Sequence, residues 1–264
     1  MKKPTYEELE KKVLELEREL KTYSDVSQEV MEGKQAEEKR REDQLRFLST
    51  VTHEFKAPLT TIKSSIQLLE KNTDNWGDEK KAHYFQNVIL SVNRMDELLV
   101  DVLKLEKYDL GKMEVNSQET NLDELCRDIV QEMELNFEGC KINYKNNHST
   151  FIQIDPKIFR QIVVNLLTNA IKYSMQGNAV VDFFVECNDG RVVLTFQDYG
   201  IGIPEEEQKY IFEDFYRCEN VKEKQGTGLG MSIVKRLLDL CKGSIEFSSQ
   251  ENVGTKFTVM IPYQ

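Results

Sequence analysis

The sequence has no excess of basic residues, no long apolar run and few histidines. Its 46 acidic and 35 basic side chains give a formal net charge of -11 at pH 7. Such a charge argues against a phosphate-backbone partner and against an anionic membrane surface. No apolar run approaches the roughly 18 residues that span a bilayer, and residues 1–12 lack the apolar segment of a secretory signal. We therefore expect no nucleic-acid partner and no membrane span.

Cysteine pairs and metal-ligand clusters are also missing from the sequence. Five cysteines are scattered along the chain without a CxxC pair, and the three histidines form no HxxxH motif. This pattern is typical of reduced thiols in the cytosol and argues against a zinc site. We predict a cytoplasmic location. The length of 264 residues, with 39% hydrophobic residues, allows one or two domains with a real core.

Apolar residues with a helical period fill the first part of the chain. From Tyr6 to about Arg46 they lie among charged residues at alternating steps of three and four, until Ser27 interrupts the pattern. This predicts a short, imperfect coiled coil over residues 1–42, with a solvated charged helix as the alternative. Two cleaner stripes follow, and they predict a helical hairpin over residues 43–110. The stripes consist of Leu48, Val51, Phe55, Leu59, Ile62, Ile66 and Leu69, then Phe85, Val88, Val92, Met95, Leu99 and Val102.

The hairpin alone leaves apolar surface uncovered. Each helix can cover only part of the other helix's stripe, and a four-helix bundle from two chains would complete the burial. We therefore predict a homodimer.

The pattern changes from about residue 113 onward. Short β-like runs alternate with helical segments near 121–138, 156–173 and 229–242, which predicts an α+β domain over residues 113–264. The β-like runs are KMEV, KINYK, FIQI, AVVDFFVEC, RVVLTFQD, SIEFSS and KFTVMIP.

A histidine and a proline lie close together in the first stripe, in the segment THEFKAP. His53 is two residues from both Val51 and Phe55, so it points away from the apolar stripe and should be exposed. Pro58 removes a helical hydrogen bond to the Glu54 carbonyl and should bend the helix, at a cost of roughly 3 kcal/mol. Glu54 could accept a proton from one ring nitrogen and leave the other as a neutral nucleophile. An ordinary pair of surface residues is the alternative.

Four polar residues share one helix face in QIVVNLLTNAIKYS. They are Asn165, Asn169, Lys172 and Tyr173. Amide oxygens suit a hydrated Mg²⁺, a lysine suits phosphate, and a tyrosine ring can pack near a nucleobase. An ordinary amphipathic helix explains the segment as well.

Two glycine-rich segments follow. In QDYGIGIP, Asp198 ends a β-like run before Gly200 and Gly202. A carboxylate there can accept a hydrogen bond from an exocyclic amine such as that of adenine, although a structural turn also explains the glycines. In KEKQGTGLGMSIVKR, Gly226, Gly228 and Gly230 lie at the start of a helix that is predicted to begin near Leu229. The free backbone N–H groups and the dipole at a helix N-terminus favour phosphate binding. No P-loop and no dinucleotide-binding βαβ unit occurs.

The order of these segments closely resembles that of bacterial sensor histidine kinases. THEFKAPLT resembles the H box, NLLTNAIKYS the N box, DYGIGIP the first glycine box, IFEDFYR the F box and GTGLGMSIV the second glycine box. The resemblance covers about residues 43–264. It implies a dimerisation and histidine-phosphotransfer domain, followed by a catalytic ATP-binding domain. The fold of the latter would be the GHKL-type α/β sandwich shared with gyrase, the ninety-kilodalton heat-shock chaperones and MutL.

The resemblance also implies roles for the residues of the boxes. His53 would attack the γ-phosphate of ATP with Glu54 as its base, and Arg217 would neutralise charge on the transferred phosphoryl group. Asn169 would ligate Mg²⁺, with Asn165 and Lys172 near the phosphates. The remaining residues implied to bind ATP are Tyr173, Asp198, Gly200, Gly202, Gly226, Thr227, Gly228, Leu229 and Gly230. Residues 215–228 would form a mobile lid.

At two positions this chain differs from relatives, at one from the ATPases of the same fold and at the other from most of the kinases. Asn165 stands where the related ATPases carry a glutamate that activates water, so we expect phosphate to go to His53. Ala57 stands where the kinases usually have Thr or Asn to orient water for dephosphorylation of the response regulator. A methyl group cannot hydrogen-bond water, so we predict weak phosphatase activity.

The resemblance implies the receiver domain of a response regulator as a partner. It also implies an upstream sensor, and we expect either an associated protein or a longer chain to supply one. A catalytically silent dimeric scaffold of the same fold is the alternative function. A chaperone-like ATPase clamp is disfavoured by Asn165 and by the H box.

Overall fold

The computed structural model describes residues 6–72, 75–109, 114–147, 151–174, 179–221 and 226–263. The chain divides into two structural units between Glu54 and Phe55, and we describe each unit by itself. In the first unit, the side chains of residues 6–30 and of 32, 33, 36, 37, 40 and 43 are outside this description.

The first unit consists of the N-terminal part of helix α1, which spans Tyr6–Asn72. The helix predicted for this region is confirmed. The predicted coiled-coil seam falls largely on side chains outside the described ones and stays a prediction. Near the end of the unit, the hydroxyls of Thr50 and Thr52 donate hydrogen bonds to the carbonyls of Arg46 and Leu48, at 3.0 and 2.8 Å.

The second unit begins with the remainder of α1 and continues into helix α2, Asp78–Asp109. The break between the helices lies where the sequence predicts it. Trp76 stacks on Tyr84 with ring centroids 4.9 Å apart, and the Lys80 ammonium lies 4.2 Å from the Trp76 ring centroid. Among the described residues, we find no helix with the length and apolar character to cross a bilayer.

A five-stranded sheet forms the centre of the rest of this unit. Its strands lie in the order β2-β4-β5-β7-β6, and all neighbours are antiparallel except the parallel pair β2 and β4. A separate antiparallel pair is formed by β1 and β3. The strands are β1 Gln118–Asn121, β2 Cys140–Asn146, β3 Phe151–Ile154, β4 Ala179–Asn188, β5 Arg191–Asp198, β6 Ser244–Gln250 and β7 Gly254–Pro262.

A layer of three helices covers one face of the sheet. These are α3 Leu122–Asn136, α4 Pro156–Tyr173 and α5 Gly230–Leu240. The strands alternate buried and less buried residues, so that one apolar face meets the helices. In this core Phe183 and Phe196 stack with centroids 4.7 Å apart. The α/β sandwich is therefore confirmed. Two short 3-10 helices, Glu205–Tyr210 and Glu219–Val221, lie between β5 and α5.

The start of α4 shows why this helix begins where it does. The Asp155 carboxylate accepts hydrogen bonds from the backbone N–H groups of Lys157 and Ile158, at 2.9 and 3.1 Å, and Pro156 occupies the first helical position. An N-cap aspartate followed by proline satisfies free backbone donors and pre-sets the first turn.

One predicted strand is wrong. Of the run KMEV, the described residues Glu114 and Val115 belong to no strand, and β1 begins at Gln118 instead. Just after this run, the backbone N–H of Asn116 donates to the Asp155 carboxylate at 2.8 Å.

Candidate active site

A cavity of about 680 Å³ lies in the second unit, beside α4, the start of α5 and one side of α2. The four polar residues predicted to share a face of α4 all line it. The opposite side of α4 is buried, with Ile162, Val163, Leu166 and Leu167 at most 1% exposed. The residues of α4 that line the cavity are Asn165, Thr168, Asn169, Ala170, Lys172 and Tyr173.

Asp198 lies in the cavity wall at the end of β5 and is 5% exposed. One carboxylate oxygen accepts hydrogen bonds from the backbone N–H groups of Gly200 and Thr255, at 2.9 and 3.2 Å. These two donors fix the plane of the carboxylate. Burial raises the pKa of the Asp198 carboxyl above its ordinary value, and the two N–H donors offset part of that shift.

The first glycine box provides close backbone approach beside Asp198. A Cβ at Gly200 would lie 2.1 Å from the Tyr173 carbonyl oxygen, and the neighbouring Ile201 N–H donates to that same oxygen at 3.1 Å. Gly202 has φ +62°, and a Cβ there would lie 2.1 Å from the Gln250 carbonyl oxygen. Gly202 lines the cavity, whereas Gly200 does not.

The second glycine box joins the cavity to the start of α5. Gly226, Thr227, Gly228 and Gly230 line the cavity. The ideal Cβ position of Gly230 is 3.7 Å from the Asn165 amide oxygen, so the N-terminus of α5 lies beside the amides of α4. Backbone donors at a helix N-terminus can bind phosphate.

Leu229, predicted to bind the nucleotide, is fully buried and does not line the cavity. Its backbone N–H donates to the Thr227 hydroxyl at 3.3 Å. Its side chain therefore belongs to the core, while its backbone supports the loop.

Arg217 lies in the wall near this loop, and one of its terminal nitrogens donates to the Val221 carbonyl at 2.8 Å. Of the predicted lid, residues 222–225 lie outside the described ones. Burial raises the pKa of the nearby Tyr173 hydroxyl, and the positive charge of Arg217 partly offsets that shift.

Helix α2 supplies a wall of the cavity that the sequence analysis missed. Asp101 accepts a hydrogen bond from the Thr227 hydroxyl at 2.8 Å and has Lys104 at 3.9 Å. The periodicity of α2 predicted only a hairpin helix. Periodicity cannot predict a contact with the glycine loop around Thr227, which is distant in sequence. The α2 residues that line the cavity are Asn93, Asp96, Glu97, Val100, Asp101 and Lys104. Cys218 and Thr255 also line it and were missed.

The predicted phosphoacceptor belongs to the first unit. His53 is exposed on α1, and Glu54 is half-buried next to it in sequence. Ala57 is exposed and Pro58 is buried inside α1, in the part of the helix that belongs to the second unit. The predicted bend at Pro58 stays a prediction.

Comparisons with known families agree with this arrangement. Residues 43–111 match the family model of the His Kinase A (phospho-acceptor) domain. Residues 154–264 match that of the histidine kinase-, DNA gyrase B-, and HSP90-like ATPase. The chain belongs to the sensor histidine kinases.

Curated sensor histidine kinases show the same relation over most of the chain. Sensor protein kinase WalK of Staphylococcus aureus is 32% identical over 246 residues, which are 91% of this chain and 58% of that sequence. WalK of strain Newman matches with the same identity, over 39% of its length. The chain thus spans less than two thirds of these relatives.

Solved histidine kinases share the fold. Acinetobacter baumannii histidine kinase AdeS matches with a TM-score of 0.63 and 22% identity, over 80% of this chain and 97% of that one. Histidine kinase ThkA, solved in complex with response regulator protein TrrA, matches with a TM-score of 0.65 and 24% identity, over 83% of this chain and 61% of that one.

Proposed function

We propose that this sensor histidine kinase uses ATP to phosphorylate His53 and then passes the phosphoryl group to an aspartate in the receiver domain of a response regulator. The observation that carries the proposal is the single cavity that joins the amides of α4, the buried Asp198 and the glycine loop at α5. Its volume of about 680 Å³ suits a nucleotide.

The residues of the cavity have separate tasks in this proposal. The Asp198 carboxylate accepts a hydrogen bond from the adenine amine, and the Tyr173 ring lies beside the nucleotide. Lys172, Asn165 and the loop that includes Gly228 bind the phosphates. The proposal is supported by the fact that all five of these residues line the same cavity.

Mg²⁺ fits the same wall. Asn169 offers an amide oxygen close to the start of α5, where its amide nitrogen is 3.9 Å from the ideal Cβ position of Gly230. A hydrated Mg²⁺ prefers such oxygen donors, and when bound it would neutralise charge on the phosphates. We propose Asn169 as its protein ligand.

In the transfer step, a neutral His53 nitrogen attacks the γ-phosphorus in line. The N–P bond forms while the bond from the γ-phosphorus to the β,γ-bridging oxygen breaks, and ADP leaves with that electron pair. Glu54 accepts the proton from the other ring nitrogen, and Arg217 neutralises charge that develops on the phosphoryl oxygens. Asn165 replaces the glutamate that would activate water, which favours transfer to histidine over hydrolysis.

We also propose a homodimer formed through the hairpin. Large apolar side chains remain about half exposed in one chain, among them Leu59 and Ile66 on α1 and Phe85, Val92 and Leu99 on α2. Their spacings of seven residues place them on one stripe of each helix. A second copy of the hairpin would cover them.

The remaining parts of the proposal concern organisation and control. Residues 1–42 would form the signalling coiled coil, 43–110 the phosphotransfer domain and 113–264 the catalytic domain, in the cytoplasm and under an upstream sensor. Ala57 would make the protein a weak phosphatase, since its side chain cannot orient water.

The experiment that tests the kinase is incubation with γ-labelled ATP and Mg²⁺. We expect label that is acid-labile, alkali-stable and absent from His53→Gln. His83→Gln, which changes another exposed histidine, is the matched control and should keep the label. ATP binding without any label would contradict the kinase and favour the catalytically silent scaffold.

A further inference from the structure

Glu207 holds the segment that contains Arg217 from both sides. Its carboxylate accepts a hydrogen bond of 2.7 Å from the Tyr216 hydroxyl and one of 3.1 Å from the backbone N–H of Glu219. The Cys218 thiol lies close enough to this carboxylate to be affected by its charge. Burial, together with the charge of Glu207, raises the pKa of Cys218 to about 11. One carboxylate therefore hydrogen-bonds on both sides of Arg217, to Tyr216 just before it and to Glu219 two residues after it.

Other contacts fix the two ends of this segment. Upstream, the Asp214 carboxylate makes a bidentate ion pair with Arg236 of α5, at 2.8 and 2.9 Å. Phe215 has φ +63°, and a Cβ at Gly228 would lie only 2.7 Å from the Phe215 carbonyl carbon. Downstream, the Asn220 amide donates to the Gly202 carbonyl at 3.2 Å. The hydrogen bonds of Glu207 lie between these two sets of contacts, in the part of the segment that contains Arg217.

The neighbours of Glu207 differ from it. It is the last of three consecutive acidic residues at the start of the 3-10 helix Glu205–Tyr210. Glu205 and Glu206 are exposed, whereas Glu207 is half-buried against the segment. Runs of acidic residues are usually solvated. In this run, however, the Glu207 carboxylate accepts hydrogen bonds from two donors, the Tyr216 hydroxyl and the Glu219 N–H. Hydrogen bonds to an ionised acceptor are stronger than neutral ones and hold a fixed geometry.

We propose that Glu207 is a positioning residue for Arg217 in phosphoryl transfer. It fixes Tyr216 and Glu219, and through them it sets where the Arg217 guanidinium lies in the cavity wall. The inference rests on the proposed kinase function and on the role proposed there for Arg217. Because a positioned cation helps most in the transition state, loss of Glu207 should slow transfer much more than it weakens nucleotide binding.

Glu207→Gln is the first variant to measure, because it keeps the shape but removes the charge that strengthens both hydrogen bonds, and it replaces one acceptor oxygen by an N–H donor. We expect the single-turnover rate of His53 labelling at saturating ATP to fall about 10- to 100-fold, the effect of a small misplacement of a catalytic group. ADP has no γ-phosphate, so the ADP dissociation constant should change by less than about twofold, a difference of only a few tenths of a kcal/mol. Glu206→Gln is the matched control and should label at the wild-type rate.

A double-mutant comparison separates positioning from general destabilisation. In the Arg217→Ala background, Glu207→Gln should cause little further loss of rate, since the group that it positions is gone. An undiminished effect of Glu207→Gln in that background would overturn the inference. So would a wild-type rate in the single variant.

Two further measurements, on Tyr216→Phe and on the wild type, distinguish a failure of the Glu207 role from a failure to fold and from a failure of the kinase proposal. If Glu207→Gln does not fold, Tyr216→Phe removes one hydrogen bond to Glu207 while keeping the ring, and the same loss of rate with unchanged ADP affinity is expected. A wild-type rate in Tyr216→Phe would then overturn the inference. A wild-type chain that takes no label contradicts the kinase itself, whereas a labelled wild type with equally labelled variants contradicts only the role of Glu207.

Discussion

The Thr227 hydroxyl donates a 2.8 Å hydrogen bond to the Asp101 carboxylate, and this bond joins the second glycine box to α2. Asp96 and Glu97 accompany Asp101 in the cavity wall, with Lys104 as the basic residue of that helix face. The α2 wall is therefore predominantly acidic. A triphosphate in the cavity would meet repulsion from this side.

Asp101→Asn should therefore strengthen ATP binding. The variant removes a negative charge but keeps an amide oxygen that can accept from Thr227. We expect a gain of about two- to fivefold in affinity at low salt, which is the scale of a solvated charge pair. The gain should shrink as salt is added. Titration with a fluorescent ATP analogue measures it, and Glu106→Gln, an exposed acid on α2 outside the cavity wall, is the control. Equal gains in both variants would contradict a local effect.

The raised pKa of Asp198 predicts a dependence of ATP affinity on pH. Only the ionised carboxylate accepts fully from the adenine amine. Affinity should therefore be complete above the raised pKa and fall as the pH drops through it, at a higher pH than for an ordinary aspartate. At about pH 8, Asp198→Asn should bind ATP about 10- to 100-fold more weakly, the scale of a charged hydrogen bond.

Calorimetric titration of both proteins from about pH 8 down to about pH 4, close to the ordinary value for aspartate, tests this prediction. The ATP phosphates titrate alike in the two experiments, so the ratio of wild-type to Asp198→Asn affinity isolates the carboxyl. The ratio should decrease with acidification. A ratio that stays constant across this range would exclude Asp198 as the titrating group.

Gly200 should not accept a side chain. A Cβ there would lie 2.1 Å from the Tyr173 carbonyl oxygen, so the backbone would have to shift. We expect Gly200→Ala to lower the free energy of unfolding by about 1–3 kcal/mol, as overpacking does, and to weaken ADP binding. Gly77→Ala, where no atom lies within 4 Å of the added Cβ, is the control and should change little. Urea unfolding and ADP titration measure both effects, and equal behaviour of the two variants would contradict the close approach.

The exposed apolar stripe on α1 predicts which face pairs in the proposed dimer. Ile66→Asp places a carboxylate in that stripe, and an unpaired charge in an apolar interface costs several kcal/mol, so the dimer should weaken at least about 100-fold. Ser64 is exposed two residues away, on the opposite side of the helix, and Ser64→Asp should leave the dimer intact. Sedimentation equilibrium at micromolar concentration distinguishes them. A monomeric wild-type mass would refute the dimer outright.

Ala57→Thr should raise dephosphorylation of a cognate response regulator. The added hydroxyl can hydrogen-bond a water molecule, which the exposed Ala57 methyl cannot. We expect an increase of about tenfold or more, the scale of orienting a reactant. Loss of label from the phosphorylated regulator measures the rate, with Ala82→Thr on α2 as a control at another exposed alanine. Equal rates for wild type and Ala57→Thr would refute the proposed phosphatase defect.

Local patterns predicted much of the α/β domain. The 3.6-residue period separated the cavity face of α4, with Asn165 and Asn169, from the buried side that includes Ile162 and Val163. The resemblance to sensor histidine kinases implied that Asp198 and the α5 loop would share a site with that face. The two faces of α4 lie within one short segment, where spacing determines geometry.

Contacts between distant segments could not be predicted in this way. Asp101 and Thr227 are 126 positions apart, and Glu207 differs from Glu206 only in how the 3-10 helix packs. The alternation in KMEV also did not reveal that the backbone N–H of the next residue, Asn116, donates to the distant Asp155 side chain. The packing of a helix against a distant loop, and the choice of a side chain as a hydrogen-bond partner for the backbone, depend on the whole fold.

The parallel pairing of β2 with β4 ties the nucleotide cavity to the folding of the domain. Cys140 pairs with Ala179, and the chain between these strands includes α4, the helix that carries Asn165 and Asn169. This helix is thus the crossover of a non-local strand pair, whose loop closure is among the slow steps in forming a sheet. We therefore expect the amides to reach their place only when that closure is complete. Competence to bind nucleotide should therefore arise late in refolding and vanish in the same cooperative transition as the sheet.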